Sequence, residues 1–338
     1  MNTDFAKHLS LFMTGYLINE RGLTSNSVQA YRDAMVLLLE YMLKEYGIRA
    51  DRLDYTDITC ERVEGWLEWL EKVRGCCVNT RNQRLAMLRS FFKYLMYKYP
   101  DRMSEWQRIM SISRKKSTKK NMKYLTADGI KLFLEQPDQT TEKGYRDTVM
   151  LTLAIDSGSR VQELLDLTPS CVNPGKITTL RIYGKGMKVR TVPLSSKCAN
   201  MLMQYMKRLH LNSPEANMYP LFGNGHHSKL TRTAVTAIVK KYAKKGRLIN
   251  SQLISDHLSP HSLRHTKGML LQDADVNIFC IRDFLGHSSI KTTEIYARAS
   301  VRQKKEALEK TSVTPYIDVK TSWQKDKKLL EWLKELGK

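Results

Sequence analysis

Between residues 113 and 124 the chain carries six basic side chains, no acidic one and almost no apolar residue. A stretch of that kind has no face to bury, so it reads as an interdomain linker. The sequence on each side must then close around its own core, and 338 residues suffice for two. The expected organisation is a first domain over 1–112, a linker over 113–124, a second domain over 125–300 and a tail over 301–338.

Charge follows the same division. Residues 1–112 hold 16 Lys and Arg against 14 Asp and Glu, whereas 125–338 hold 34 against 20. The formal net charge of +22 is therefore concentrated in the linker and the second half, which points to a nucleic-acid partner. Phosphate contacts of this type give affinity without base readout. The longest apolar runs, 34–39 and 149–155, are far too short to span a bilayer, and the N-terminus does not resemble a secretory signal. Cys60, Cys76, Cys77, Cys171, Cys198 and Cys280 form no CxxC pair, so they read as reduced thiols of a cytoplasmic protein.

Periodicity makes the first 110 residues helical. Val28, Tyr31, Met35, Leu38, Leu39 and Met42 recur at helical spacing behind an N-cap near Thr24. A second stripe joins Leu85, Leu88, Phe91, Phe92 and Leu95, with Arg81, Arg84 and Arg89 expected on its polar side, where they would face DNA. Beyond Leu125 the pattern is mixed. Helices are expected near 126–136, 143–156, 160–167, 195–209, 231–246, 261–272, 276–284 and 289–298. Two strands, 177–183 and 189–194, are expected to join across Gly184–Met187. Further candidate DNA contacts are Lys115, Lys116, Lys119 and Lys120 in the linker and Lys240, Lys241, Lys244 and Lys245 late in a helix. The tail closes with Leu329, Leu330, Trp332, Leu333 and Leu336 on one helical stripe.

Six residues of the second half carry chemistry together: Arg160, Lys185, His261, Arg264, His287 and Tyr296. Cleaving a phosphodiester by transesterification needs an oxygen nucleophile, fixed cations for the crowded phosphorane and a proton for the leaving oxygen. Tyrosine supplies the first, arginine's planar fork the second, lysine or histidine the third. Singly, each has a plainer reading: an arginine at a helix start paired to Glu163, a hairpin-tip lysine, packed histidines, one tyrosine among 16. The acids form no liganding cluster, and His226, His227, Asp256 and His257 read as polar loop residues, so no metal site is expected.

In this order the residues resemble the tyrosine recombinase (phage integrase) family. The motifs are Gly158-Ser159-Arg160-Val161-Gln162-Glu163, Gly184-Lys185-Gly186 running to Arg190 and Pro193, His261-Ser262-Leu263-Arg264-His265, and Leu285-Gly286-His287 followed nine residues later by Tyr296. The helix from Thr80 to Leu95 also resembles the last long helix of that family's core-binding domain. The resemblance implies a mainly α fold with a small antiparallel β-sheet, arranged as a two-domain clamp of a helical core-binding domain and a mixed α/β catalytic domain. It implies that Tyr296 forms a 3′-phosphotyrosyl bond and that Arg160 and Arg264 clamp the non-bridging oxygens. Lys185 would then protonate the 5′-hydroxyl, His261 assist proton transfer from the tyrosine, His287 bond the phosphate and Glu163 orient Arg160. No cofactor is implied.

The implied partners are double-stranded DNA with paired half-sites and further copies of the chain. These would form a tetramer on DNA that passes through a Holliday junction, from a free monomer or weak oligomer. Accessory recombinases or directionality factors belong to the same expectation, as does a location at the nucleoid. The tail would dock on a neighbouring subunit, with folding back on its own domain as the alternative. Ser159, where the family has an apolar residue, and Met187, where it has a polar one, remove no chemical group. The length beyond 300 and the basic charge favour a mobile-element integrase or transposase over a chromosome-dimer resolvase. No arm-binding domain is expected before the first helix. A non-catalytic DNA-binding accessory protein would have lost one of the six groups, and a type IB topoisomerase fits the compact final motif less well.

Overall fold

The computed structural model describes residues 3–100, 103–117, 122–184, 188–224, 228–299 and 327–336. Two compact units divide the chain, Met1–Lys120 and Asn121–Lys338.

The first unit is helical. α1 (Asp4–Leu11) runs into a π-helical stretch (Phe12–Glu20), followed by α2 (Ser25–Tyr46), α3 (Cys60–Lys72), α4 (Val78–Met96) and α5 (Met103–Ser111). Its core is unusually aromatic: Phe5, Phe12, Trp66, Phe91, Phe92 and Trp106 are all fully buried. Phe5 meets Phe91 edge-on at 5.6 Å between centroids, and Phe12 meets it at 5.1 Å. Each such ring contributes about 1.5–3 kcal/mol through burial, so the five helices are held by this core more than by their own propensities.

The second unit begins with α6 (Ala127–Leu134), α7 (Glu142–Ser157) and α8 (Val161–Leu165). A three-stranded antiparallel sheet follows in the order β1 (Val172–Asn173), β2 (Thr179–Tyr183), β3 (Val189–Pro193). Leu180 pairs with Val192 and Ile182 with Arg190. The side chains of Leu180, Ile182 and Val192 point into a core shared with Leu151, Leu153, Leu202, Phe222, Val239 and Ile254. α9 (Ser196–Arg208), α10 (Arg232–Ile249), α11 (Pro260–Asp273), α12 (Ile278–Leu285) and α13 (Glu294–Ala299) complete the unit up to residue 299. A last helix, α14, spans Lys327–Glu335, with Trp332, Leu333 and Leu336 exposed.

The chain is mainly helical with one small antiparallel sheet, as expected. β1 is a new feature; two residues are too few for an alternation to register. The helix expected over 289–298 is instead a 3-10 turn (Ile290–Thr292) and the separate α13. Thr293 lies between them, fully buried, with its hydroxyl held by His287. Among the described residues no helix is long and apolar enough to cross a membrane.

Candidate active site

Two helix ends build the cationic part of the site. α7 stops at Gly158 (φ 58°) and α12 at Gly286 (φ 65°), left-handed conformations that glycine adopts without a Cβ clash. Their turns aim main-chain carbonyls inward. Arg264, on α11 and 1% exposed, donates to Gly158 O at 2.9 Å and to Leu285 O at 2.6 Å. Arg160 stands at the N-cap of α8 and donates to Gly286 O at 3.1 Å. The negative end of a helix dipole suits both guanidiniums.

Glu163 collects the same arginines. One oxygen takes Arg160 Nη1 at 2.6 Å, while the other takes the Arg160 backbone N–H at 2.8 Å and Arg190 Nη2 at 2.7 Å. Arg264 Nη1 lies 3.9 Å from the carboxylate. Burial by itself would raise the Glu163 pKa. The bonds from Arg190 and from the Arg160 amide outweigh it and hold the carboxyl at about 2, so Glu163 is ionised. Burial, with Arg160 close by, brings Arg264 down to about 10, which still leaves it cationic at neutral pH.

The tyrosine is held differently. Tyr296 is fully buried in a small cluster with Met269, Ile281 and Leu285. Its ring lies over Gly268 of α11, where any Cβ would overlap it. The Tyr296 hydroxyl shares a hydrogen bond of 3.1 Å with His265 Nδ1, and the His287 ring stacks on the Tyr296 ring at 6.3 Å. His287 Nδ1 in turn shares a hydrogen bond of 2.8 Å with Thr293 Oγ1. Burial lifts the phenol to about 12 despite the pull of Arg264 and Arg160. Burial and then His261 and Arg264 lower His265 to about 4; burial and the two arginines do the same to His287. His261 is lowered for the same reasons, burial first. These imidazoles are therefore neutral acceptors and donors at pH 7.

Arg160, His261, Arg264, His287, Glu163 and Tyr296 thus converge, from positions up to 136 residues apart in sequence. Lys185 lies outside the described residues, as do Lys119, Lys120, His226 and His227. Two clefts share Arg160. One of about 510 Å³ also involves Lys188, Arg190 and His287; another of about 290 Å³ involves Arg232, His261 and Arg264.

The family resemblance implies that His261 assists the tyrosine's proton transfer; in the free protein the hydroxyl is hydrogen-bonded to His265, one turn further along α11. Sequence reasoning passed over Arg190. That residue lies two positions from the buried Val192 on the same face of β3, and a charged side chain on the inward face of a strand is a legible signal.

The basic candidates separate into two kinds. Lys240, Lys241, Lys244 and Lys245 are exposed on α10, two of them over the Tyr242 ring, and Lys115 and Lys116 are exposed as well. Lys115 forms an ion pair with Glu71 at 2.5 Å. Arg81, expected on the polar side of its helix, is buried: it shares a face with Leu85 and Leu88 and donates to Ser113 O at 3.2 Å. Arg84 donates to Cys76 Sγ at 2.8 Å, and Arg89 donates to Ile112 O. These three arginines hold neighbouring chain in the first unit rather than lying free on an outer face.

Two family models match the sequence: the phage integrase family over residues 123–303 and the phage integrase N-terminal SAM-like domain over residues 13–99. A putative integrase/recombinase, y4rC, of Sinorhizobium fredii is 29% identical over 98% of this chain and 99% of its own length. The tyrosine recombinase XerD of Haemophilus influenzae is 30% identical over 88% of this chain and 95% of its own. Among solved structures, a XerH site-specific recombinase bound to a palindromic difH substrate in a post-cleavage complex superposes with a TM-score of 0.66 at 21% identity. That match covers 86% of this chain and 81% of the other. A Tn1549 transposon integrase in complex with transposon right end DNA superposes equally well at 17% identity, covering 88% and 98%. At those identities the superpositions speak to the fold.

Proposed function

We propose, from the premise that this chain belongs to the phage integrase family and is a tyrosine-type site-specific DNA recombinase, a division of labour within its site. Tyr296 is the nucleophile. It attacks the scissile phosphorus, the bond to the 5′-oxygen breaks, and the strand is held as a 3′-phosphotyrosyl ester whose energy is kept for rejoining. Arg160 and Arg264 bind the non-bridging oxygens, and fixed cations of this kind supply much of the rate. Lys185 protonates the departing 5′-oxygen. His261 assists the tyrosine's proton transfer and His287 donates to the phosphate, while Glu163 orients Arg160.

The observation that carries this reading is the cage in which Glu163 and the carbonyls of Gly158, Leu285 and Gly286 fix Arg160 and Arg264. Those bonds leave the remaining N–H groups of two adjacent guanidiniums for a single anion. Tyr296 is buried in this arrangement, so it must leave its seat to reach a phosphate.

The wider assembly belongs to the same proposal. Residues 1–112 act as the core-binding domain and 125–300 as the catalytic domain, with 113–124 giving phosphate contacts and Lys240, Lys241, Lys244 and Lys245 adding more. Four subunits on paired half-sites pass through a Holliday junction, and the apolar stripe of α14 docks on a neighbouring subunit. A mobile-element role belongs to the same proposal, and a relative matched over 98% of the chain is itself a putative integrase/recombinase.

Wild-type protein incubated with a nicked suicide duplex of its site should form a denaturant-resistant adduct in the presence of a metal chelator. Tyr296→Phe should form none while binding the same duplex. Adduct formation by Tyr296→Phe would remove the tyrosine from its assigned role.

A further inference from the structure

Three successive carbonyls at the end of α12 each accept from a different arginine. Phe284 O takes Arg190 Nε at 3.1 Å, Leu285 O takes Arg264 Nη2 at 2.6 Å, and Gly286 O takes Arg160 Nη2 at 3.1 Å. The same three arginines surround the carboxylate of Glu163 on the other side. Arg190 is bound there through two nitrogens, at 2.7 and 3.2 Å. A Cβ on Gly286 would stand 3.0 Å from the Arg190 guanidinium, so the loop is packed directly against it.

From this arrangement we infer that Arg190 is a positioning residue for strand cleavage, which it serves by fixing Arg160 and Arg264. The inference rests on the recombinase reading above. With three N–H groups committed to Glu163 and Phe284, Arg190 acts through those groups. One effect is to hold Glu163 ionised and oriented, which sets Arg160. Its other effect is to pin the turn after α12, whose next two carbonyls hold Arg264 and Arg160 and whose next side chain is His287. Only a planar fork reaches two carboxylate oxygens and a carbonyl at once, so a lysine cannot replace it. Since β3 follows Lys185 closely in sequence, the competing role for Arg190 is to place that lysine.

Adduct formation by full-length wild type, Arg190→Met, Arg190→Lys and Lys185→Ala separates these roles on three nicked duplexes. One has an ordinary scissile phosphate, one a 5′-bridging phosphorothiolate, and one a methylphosphonate lacking an anionic oxygen. Arg190→Met should slow cleavage of the ordinary duplex about 100-fold, the cost of a small misplacement of fixed groups, with duplex binding unchanged. Arg190→Lys should be as slow. The phosphorothiolate, whose sulfur departs without a proton, should restore Lys185→Ala but leave Arg190→Met slow. On the methylphosphonate, where the arginines have one oxygen fewer to hold, the Arg190→Met defect should shrink. Wild-type rates in Arg190→Met, rescue by lysine, rescue by the phosphorothiolate, or an undiminished defect on the methylphosphonate would each overturn the inference. If wild type itself forms no adduct on any duplex, the recombinase reading fails instead.

Discussion

Arg160, Arg190 and Arg264 each meet a carboxylate or a carbonyl already in place, whereas the Tyr296 hydroxyl, under complete burial, meets the imidazole of His265. The cations are held by charge, with Glu163 kept ionised among them. Neutral imidazoles and apolar side chains hold Tyr296, the proposed nucleophile, with its phenol raised to about 12. With the roles proposed above, the difference teaches that the anion site is assembled ahead of DNA while the attacking group is kept in reserve. Electrostatic preorganisation and nucleophile release should therefore be separable by mutation.

The larger effect should come from breaking the cage. Glu163→Gln replaces a two-oxygen acceptor by a group that offers one acceptor and turns donors toward guanidiniums. Cleavage should fall about 100-fold or more, and stability by about 3–5 kcal/mol, as when one partner of a buried ion pair is removed. Because the folded pKa of Glu163 is depressed to about 2, its stabilisation is complete above its ordinary value of 4.5. That stabilisation is lost as pH falls toward 2. Acid denaturation of Glu163→Gln, followed by circular dichroism, should show a flatter limb over that range. An unchanged limb would mean that Glu163 does not carry the cage.

A smaller effect should follow from loosening the tyrosine's seat. His265 is held neutral with a folded pKa of about 4 against 6.5 for the free group, so folding resists its protonation. Stability should be full above pH 6.5 and decline as pH falls toward 4. His265→Gln removes that titration. His287 has the same displacement and His261 is lowered as well, so the decline in Tm between pH 6.5 and 4 should be reduced rather than abolished. Loss of the hydroxyl's partner should cost about 1 kcal/mol at pH 7. A melting profile identical to wild type at every pH would show that His265 does not hold the tyrosine.

What was legible in the sequence was set by short-range spacing. Arg160 with Glu163, and His261 with Arg264, lie one helical turn apart, and such pairs follow from 3.6-residue geometry. The hairpin was visible because alternation over five residues fixes which side of a strand is buried. The partners of the arginines were not legible, because they are carbonyls. Gly158 O, Leu285 O and Gly286 O carry no side-chain signature, and their direction depends on how two helices end 128 residues apart. The place of Tyr296 over Gly268, and its bond to His265, depend in the same way on long-range packing of α13 against α11. Arg81 shows the opposite failure. A polar residue type suggested an outer face, although its spacing to Leu85 and Leu88 already placed it inside.

The contrast between a ready cation site and a stored nucleophile is tested most directly at Tyr296 itself. With fluorotyrosine incorporated at that position alone, the fluorine resonance should show no solvent isotope shift between H2O and D2O in the free protein. A shift should appear once the duplex site is bound. A fluorine already exposed to solvent in the free protein, or one that stays buried in a complex that cleaves DNA, would contradict it.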